Sequence, residues 1–273
     1  MSERFLVETH DTVQGATARA FGDLPVVLNG RPYRSSYEVL AALIPHVSTR
    51  VDVLDLACGD GFLLSLLAAR SQPNLALCGI DLSAGELRAA RVRIGAAARV
   101  VRCRAQDLSL SSRRFDYVTS HMALMLMDSP QLVVGEVSRV LKPGGTFGAI
   151  VGAAPPASAA LSAFGDLLSH YPRQAQWSEV RLGDRRMRSR DAMAELLSQS
   201  LREVVIEDLH INRRLTPREL WGWFSGTYDV YFLSDADRVS LEHEYIAAMS
   251  AECDADGRVH FPWTIRSVTA RAV

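Results

Sequence analysis

The chain has 273 residues, 48% of them hydrophobic, and a formal net charge of −1, which suits one large globular domain or a domain with a cap. No basic excess argues for nucleic acid and no apolar run is long enough to span a bilayer. The N-terminus, M-S-E-R-F-L-V-E-T-H, carries acids and no long apolar core, unlike a signal peptide. Cys58, Cys78, Cys103 and Cys253 form no C-x-x-C pair and read as free thiols of a reducing cytoplasm rather than zinc ligands; the single lysine, Lys142, among 30 basic residues reads as the codon bias of a GC-rich bacterial genome.

In residues 1–30, Phe5, Leu6, Val13, Thr17 and Phe21 give partial helical periodicity, ended by Gly22 and Pro25. This segment either packs on the core or covers a ligand, and His10 and Asp11 are the polar positions on it. Gly30 to Glu38 then leads into a helix over Val39–Ile44. The run Val51–Leu64, V-D-V-L-D-L-A-C-G-D-G-F-L-L, comes next. Its apolar alternation reads as a buried strand through Asp55, followed by a turn over Ala57–Gly61 and a helix over Phe62–Ala69. Strand, glycine turn and helix make a nucleotide-binding layout, because glycine admits a ligand to the backbone and a helix start offers free N–H groups. Leu64 stands where a dinucleotide fingerprint needs its third glycine, and no Lys-Ser/Thr closes the turn as in a P-loop. Asp55 would repel a pyrophosphate and suits a cationic amine. Asp81 ends the next strand, Asn74–Ile80, where an acid grips ribose hydroxyls.

The alternation continues with a helix over Ala84–Ile94, a strand over Arg99–Cys103, the run A-Q-D-L at 105–108, and a strand over Phe115–Ser120 that runs into His121 and Met122–Met127. A helix over Gln131–Leu141 stops at K-P-G-G, and Thr146–Gly152 is a fifth strand. Strands alternating with helices imply a doubly wound, mostly parallel sheet. Beyond the break at Ala153–Pro156 come a helix over Ser158–His170, an arginine-rich connector over 181–190, a helix over Asp191–Ser200 and a sixth strand over Arg202–Ile211. Thr216-Pro217 starts a helix; another runs from Ser234 to about Ala251, and Gly257–Ala270 is a last, antiparallel strand. Trp221, Phe224, Tyr228 and Tyr231 share one helical face if the helix runs through Gly226, serving either as the core of a cap or as a wall for a planar or apolar acceptor.

The motifs D-L-A-C-G-D-G, G-I-D-L-S, A-Q-D-L and L-K-P-G-G-T-F, in this order over residues 50–150, resemble those of class I S-adenosylmethionine (SAM)-dependent methyltransferases, with Ala57 where the family usually has its first glycine. The resemblance implies an α/β, Rossmann-like sheet of seven strands with an antiparallel last strand. It also implies an N-terminal helical lid over 1–45 on a SAM-binding domain over 46–273, with cap insertions at about 153–190 and 213–255. It implies SAM contacts from Asp55, Ala57, Cys58, Gly59, Asp60, Gly61, Asp81, Leu82, Ser120 and His121. Asp107 would bond the adenine amino group, with a backbone amide on a ring nitrogen; Gln106 and Leu108 join the cofactor contacts, and Arg34 or Tyr33 would meet the methionine carboxylate, which a guanidinium fork holds well. Since the leaving group is neutral, positioning and desolvation matter most, with a base needed only for a protonated nucleophile. His121 is the first candidate base, with His10 and Glu38 behind it; Tyr37 and Met125 join the four aromatics as acceptor-binding candidates.

The expected function is metal-independent methyl transfer to a small molecule, in specialised metabolism, by a cytoplasmic protein with no nucleic-acid or membrane partner; a homodimer is left open. Strand four ends T-S-H-M, unlike the N/D-P-P-Y of DNA-amino methylation, the Pro-Cys of cytosine C5 chemistry or the acid clusters of metal-dependent catechol enzymes. The alternatives are a SAM enzyme of non-methyl chemistry such as cyclisation, a SAM-binding subunit without catalysis, and a dehydrogenase, the last disfavoured by Leu64.

Overall fold

The computed structural model describes residues 1–273. The chain opens with helices α1 (Ser2–Thr12) and α2 (Ala16–Phe21), strands β1 (Val26–Leu28) and β2 (Arg31–Tyr33), and helix α3 (Ser36–Ala42). The alternating core follows: β3 (Val51–Leu56), α4 (Phe62–Ala68), β4 (Leu75–Asp81), α5 (Ala84–Ile94), β5 (Ala98–Arg102), β6 (Phe115–His121), α6 (Pro130–Val140) and β7 (Leu141–Gly152). After it come α7 (Ala159–Leu168), α8 (Arg190–Ser198), β8 (Leu201–Leu215), α9 (Pro217–Phe224), α10 (Tyr228–Tyr231), α11 (Asp235–Ala251) and β9 (Val259–Ala272).

All nine strands form one sheet in the order β2-β1-β8-β9-β7-β6-β3-β4-β5. β3, β4, β5, β6 and β7 pair in parallel, and β9 pairs antiparallel with β7, as expected. β3 is buried at all six positions, the mark of a strand covered on both faces. The chain steps outward from β3 through β4 to β5, then returns to build β6 on the other side. The carboxyl ends of β3 and β6 therefore flank the switch point where such sheets bind ligands.

Seven of the nine strands match the expectation. The other two, β1 and β2, are a hairpin in a stretch where no strand was expected. Leu28 pairs with Arg31 across Asn29-Gly30, both at positive φ, the conformation a two-residue hairpin turn requires. The Lys142–Gly145 turn is also different: β7 begins at Leu141 and shifts register between its pairings with Phe115 and Tyr117. Lys142 Nζ bonds Asp116 Oδ2 at 2.7 Å and Asp52 Oδ2 at 3.3 Å, fastening the amino ends of β3, β6 and β7 at the edge opposite the switch point.

The chain divides into two compact units. The first comprises Met1–Ala154, Leu182–Leu209 and Ile265–Val273; its core runs from Leu54 and Leu56 through Val133, Val137 and Phe147 to Leu196 and Leu197. The second comprises Pro155–Arg181 and His210–Thr264. Residues 182–190, expected in a cap, thus belong with the sheet. The core of the second unit is aromatic, with Phe164 stacked on Phe224 at 4.3 Å and Tyr245 set edge-on to both. The helix through Gly226 does not form. α9 stops at Phe224, whose carbonyl accepts from the Thr227 hydroxyl at 2.7 Å and the Thr227 N–H at 2.9 Å, and α10 starts afresh.

Candidate functional site

The turn after β3 is left-handed at three positions, Ala57 (φ 58°), Gly59 (52°) and Gly61 (76°), so Ala57 adopts a conformation that glycine adopts more cheaply. A Cβ on Gly61 would crowd Ala90 of α5 at 3.2 Å. One on Gly59 would meet nothing nearer than Glu86 Oε2 at 3.9 Å, which leaves room for a ligand to lie along the backbone. Asp81, at the end of β4, holds this turn: its Oδ2 accepts from Gly59 N at 2.9 Å and its Oδ1 from Ser83 N at 2.8 Å. Burial pushes the Asp81 carboxyl up, against the two N–H groups and His10, which favour its charge.

Asp55 lies at the carboxyl end of β3, 2% exposed. Thr119 Oγ1 donates to its Oδ1 at 3.1 Å, and burial raises its pKa to about 7. A buried and a half-buried carboxyl beside an open glycine turn, held by neutral donors, suit a ligand bearing hydroxyls and a positive charge. That is the chemistry of the ribose and the cationic methionine end of SAM, so the residues fit this cofactor.

His121 ends β6 at 6% exposure. Its Nε2 lies 2.8 Å from Ser36 Oγ; its ring stacks on Tyr37 at 3.6 Å and meets Phe21 edge-on at 5.7 Å. Burial lowers its pKa to about 3, and both its Nδ1 and the neighbouring Ser120 Oγ are enclosed with no hydrogen-bond partner. In this conformation burial favours the neutral imidazole, and Ser36, Tyr37 and Phe21 enclose the ring. Tyr37 is likewise enclosed, and its phenol is pushed well up by burial and by the charges of Asp60, Asp55 and Glu86.

Other expected residues lie elsewhere. Arg34 is 81% exposed at its side chain, and its nearest acids, Asp23 and Glu38, are both 3.9 Å away, too loose and wet a pairing to mark a carboxylate site. Tyr33 sits in β2 under the Arg31 guanidinium. Glu38 accepts from Arg34 N at 2.9 Å and helps to close the start of α3, whose N-cap is Ser35, which is not a base's position. Asp60 is paired with Arg93 of α5, so its carboxylate is already engaged. The Leu108 amide donates to Glu136 Oε2 at 2.6 Å and is not free for adenine; Asp107 is exposed, and Gln106 donates to Asp128 O at 2.9 Å. Cys58 N bonds Ile80 O at 2.8 Å, and Leu82 is half-buried with its carbonyl on Arg102. Met125 packs against the core of the first unit, while Trp221 and Phe224 are packed inside the core of the second; Tyr228 and Tyr231 are half-buried. His10 bonds Glu86, a fully buried acid that was overlooked although Ser83-x-x-Glu86 spells a capping box.

Residues 53–145 match a family model described as a methyltransferase domain. A demethylmenaquinone methyltransferase of Symbiobacterium thermophilum is 37% identical over 100 residues, 35% of this chain and 40% of that one, so the match spans less than half of that relative. The nocamycin O-methyltransferase of Saccharothrix syringae is 26% identical over 253 residues, covering 81% of this chain and 85% of its own. Among solved structures, a phosphoethanolamine N-methyltransferase of Haemonchus contortus in complex with SAM superposes with a TM-score of 0.59 at 19% identity, covering all of this chain and 60% of that one. Strand order, motif set and family match converge on one stretch, and residues 53–145 form a methyltransferase domain of the class I SAM-dependent kind, whose cofactor is SAM.

Proposed function

We propose that the protein transfers the methyl group of SAM to a small-molecule acceptor of specialised metabolism, without a metal. The observation that carries this reading is the pair of carboxyls, buried Asp55 and half-buried Asp81, on either side of the open glycine turn. Asp81 would hold the ribose hydroxyls and Asp55 would face the cationic end of the cofactor. The cofactor, when bound, supplies a methyl group on a positively charged sulfur. Phe21, Tyr37, Phe62 and His121 wall this region with rings, which excludes the water that would otherwise solvate a nucleophile. The three methionines after β6, Met122, Met125 and Met127, in place of an acid cluster, support transfer without a metal. The nocamycin relative supports a small-molecule acceptor, since its match covers 81% of this chain and 85% of its own. Tyr228 and Tyr231 remain the acceptor-binding candidates of the second unit, with Met125 in the first.

Calorimetry with SAM tests the cofactor site. Asp81→Ala removes hydrogen bonds to a charged acceptor, each worth about 1.5–3 kcal/mol, so affinity should fall roughly ten- to hundredfold. Unchanged affinity would remove Asp81 from the site. Release of S-adenosylhomocysteine, scored across a library of hydroxylated and amino metabolites, then identifies the acceptor class.

A further inference from the structure

Residues 2–21 are fastened to the loop that carries Asp81. Glu86, 2% exposed, accepts from Gly15 N with both oxygens, at 3.1 and 3.0 Å, and pairs with His10 Nδ1 at 2.9 Å. Asp11 Oδ1 accepts from Ser83 Oγ at 2.6 Å and from Gly85 N at 2.7 Å, so α5 is capped in part by a residue of another helix. In an ordinary capping box the Glu86 carboxylate would return to the Ser83 N–H. Here Asp81 already holds that N–H, which leaves Glu86 for the N-terminal segment. A continuous run of hydrogen bonds therefore leads from Gly59 through Asp81 and Ser83 to Asp11. The same segment sets Gly15 against the Asp60 carboxylate and lays Phe21 on the His121 ring, so it passes along the rim of the crevice from β4 to β6.

We propose that Glu86 and Asp11 latch residues 2–21 over the cofactor crevice, and that the charge on His10 sets how often the latch opens, making cofactor entry and release pH-dependent. The proposal rests on the crevice being the cofactor site. Glu86 on α5, Asp81 at the end of β4 and Asp11 on its own helix set acidic charge against His10. Burial works against the imidazolium, but the Glu86 hydrogen bond and the three acidic charges outweigh it, so its pKa is raised. The sign follows. The charged His10–Glu86 bond is fully present below the ordinary histidine range and is lost as pH rises through the raised value.

Hydrogen exchange on the ligand-free full-length chain, corrected for the intrinsic pH dependence of exchange, reads the latch directly. Between about pH 6 and about pH 8.5, opening of residues 2–21 should become about tenfold more frequent, the difference between a charge-assisted and a neutral hydrogen bond, while α6 stays unchanged. His10→Gln, at a partly exposed helical position, should open at the high-pH frequency at both values, and so should the near-isosteric Glu86→Gln. Stopped-flow dissociation of S-adenosylhomocysteine should accelerate in step with opening in the wild type, and His10→Gln should lose that acceleration. Equal protection at both pH values, or a pH dependence that survives in His10→Gln, would overturn the latch. Opening without any change in dissociation would overturn its control of the cofactor. No binding of S-adenosylhomocysteine in calorimetry would overturn the cofactor reading and leave exchange alone to decide the latch.

Discussion

Asp55 makes cofactor binding a proton-linked event. With its pKa raised to about 7 by burial, the side chain is partly protonated at neutrality, whereas a cation against it favours the carboxylate. SAM binding at pH 7 should release roughly half a proton, and affinity should weaken as pH falls below 7, toward tenfold per unit. Calorimetry in buffers of different ionisation enthalpy measures the released proton directly; Asp55→Asn should abolish it. The opposite signs of the Asp55 and His10 effects let the two be separated. At His121 the expectation is a pH–rate profile without a histidine break: held neutral by burial, the ring gives wild type and His121→Gln profiles of one shape, the variant slower. A break near the usual histidine value, about 6.5, that vanished in the variant would restore His121 as a base. That Asp55, Gly59, Gly61 and Asp81 lie together could be read from the sequence because a strand end and a tight turn dictate where the backbone points. The partners of Arg34, Glu38, Asp60 and the Leu108 amide could not, because Asp23, Arg93 and Glu136 come from elsewhere in the chain or compete locally for the same group.

At the level of elements, the alternating βα pattern was readable because apolar periodicity reports burial directly. The β1–β2 hairpin was missed although Asn29-Gly30 is a strong turn signal, since three-residue strands leave almost no alternation to detect. The helix drawn through Gly226 failed for the opposite reason: aromatic spacing looked helical, but those rings pack around Tyr245 from two short helices. The connector at 181–190, read as a solvated face, contains a tight contact. Gly183 is at φ 69°, and a Cβ there would overlap the Met125 carbonyl oxygen. Gly183→Ala combines left-handed strain with a clash against backbone and should cost about 3 kcal/mol or more, lowering the melting temperature by roughly 6–12 °C, which calorimetric melting would show. A change of less than a degree would mean that the connector shifts freely. By contrast Thr216→Ala, which removes one half of the Thr216–Glu219 capping box, should cost only about 1 kcal/mol.

For the whole molecule, the sheet order decides how the parts depend on one another. β9 lies between β7 and β8, and its residues 265–271 pair with 152–146 of β7, while Val268, Ala270 and Ala272 sit in the core of the first unit. A chain lacking residues 259–273 should therefore leave β7 with an open hydrogen-bonding edge and a gap in the core; recovery of soluble, cooperatively melting protein from such a chain would contradict this. The same arrangement bears on biosynthesis. Translation delivers β3 to β7 first, yet the strand that completes the edge of β7 is made about 120 residues later, a delay on the order of ten seconds at typical elongation rates. During that interval a row of bare N–H and C=O groups on an apolar strand is exposed to neighbouring nascent chains. Slower growth at lower temperature does not shorten this window, whereas a chaperone can cover the edge while it lasts, so yield in a heterologous host should respond more to chaperone supply than to induction temperature.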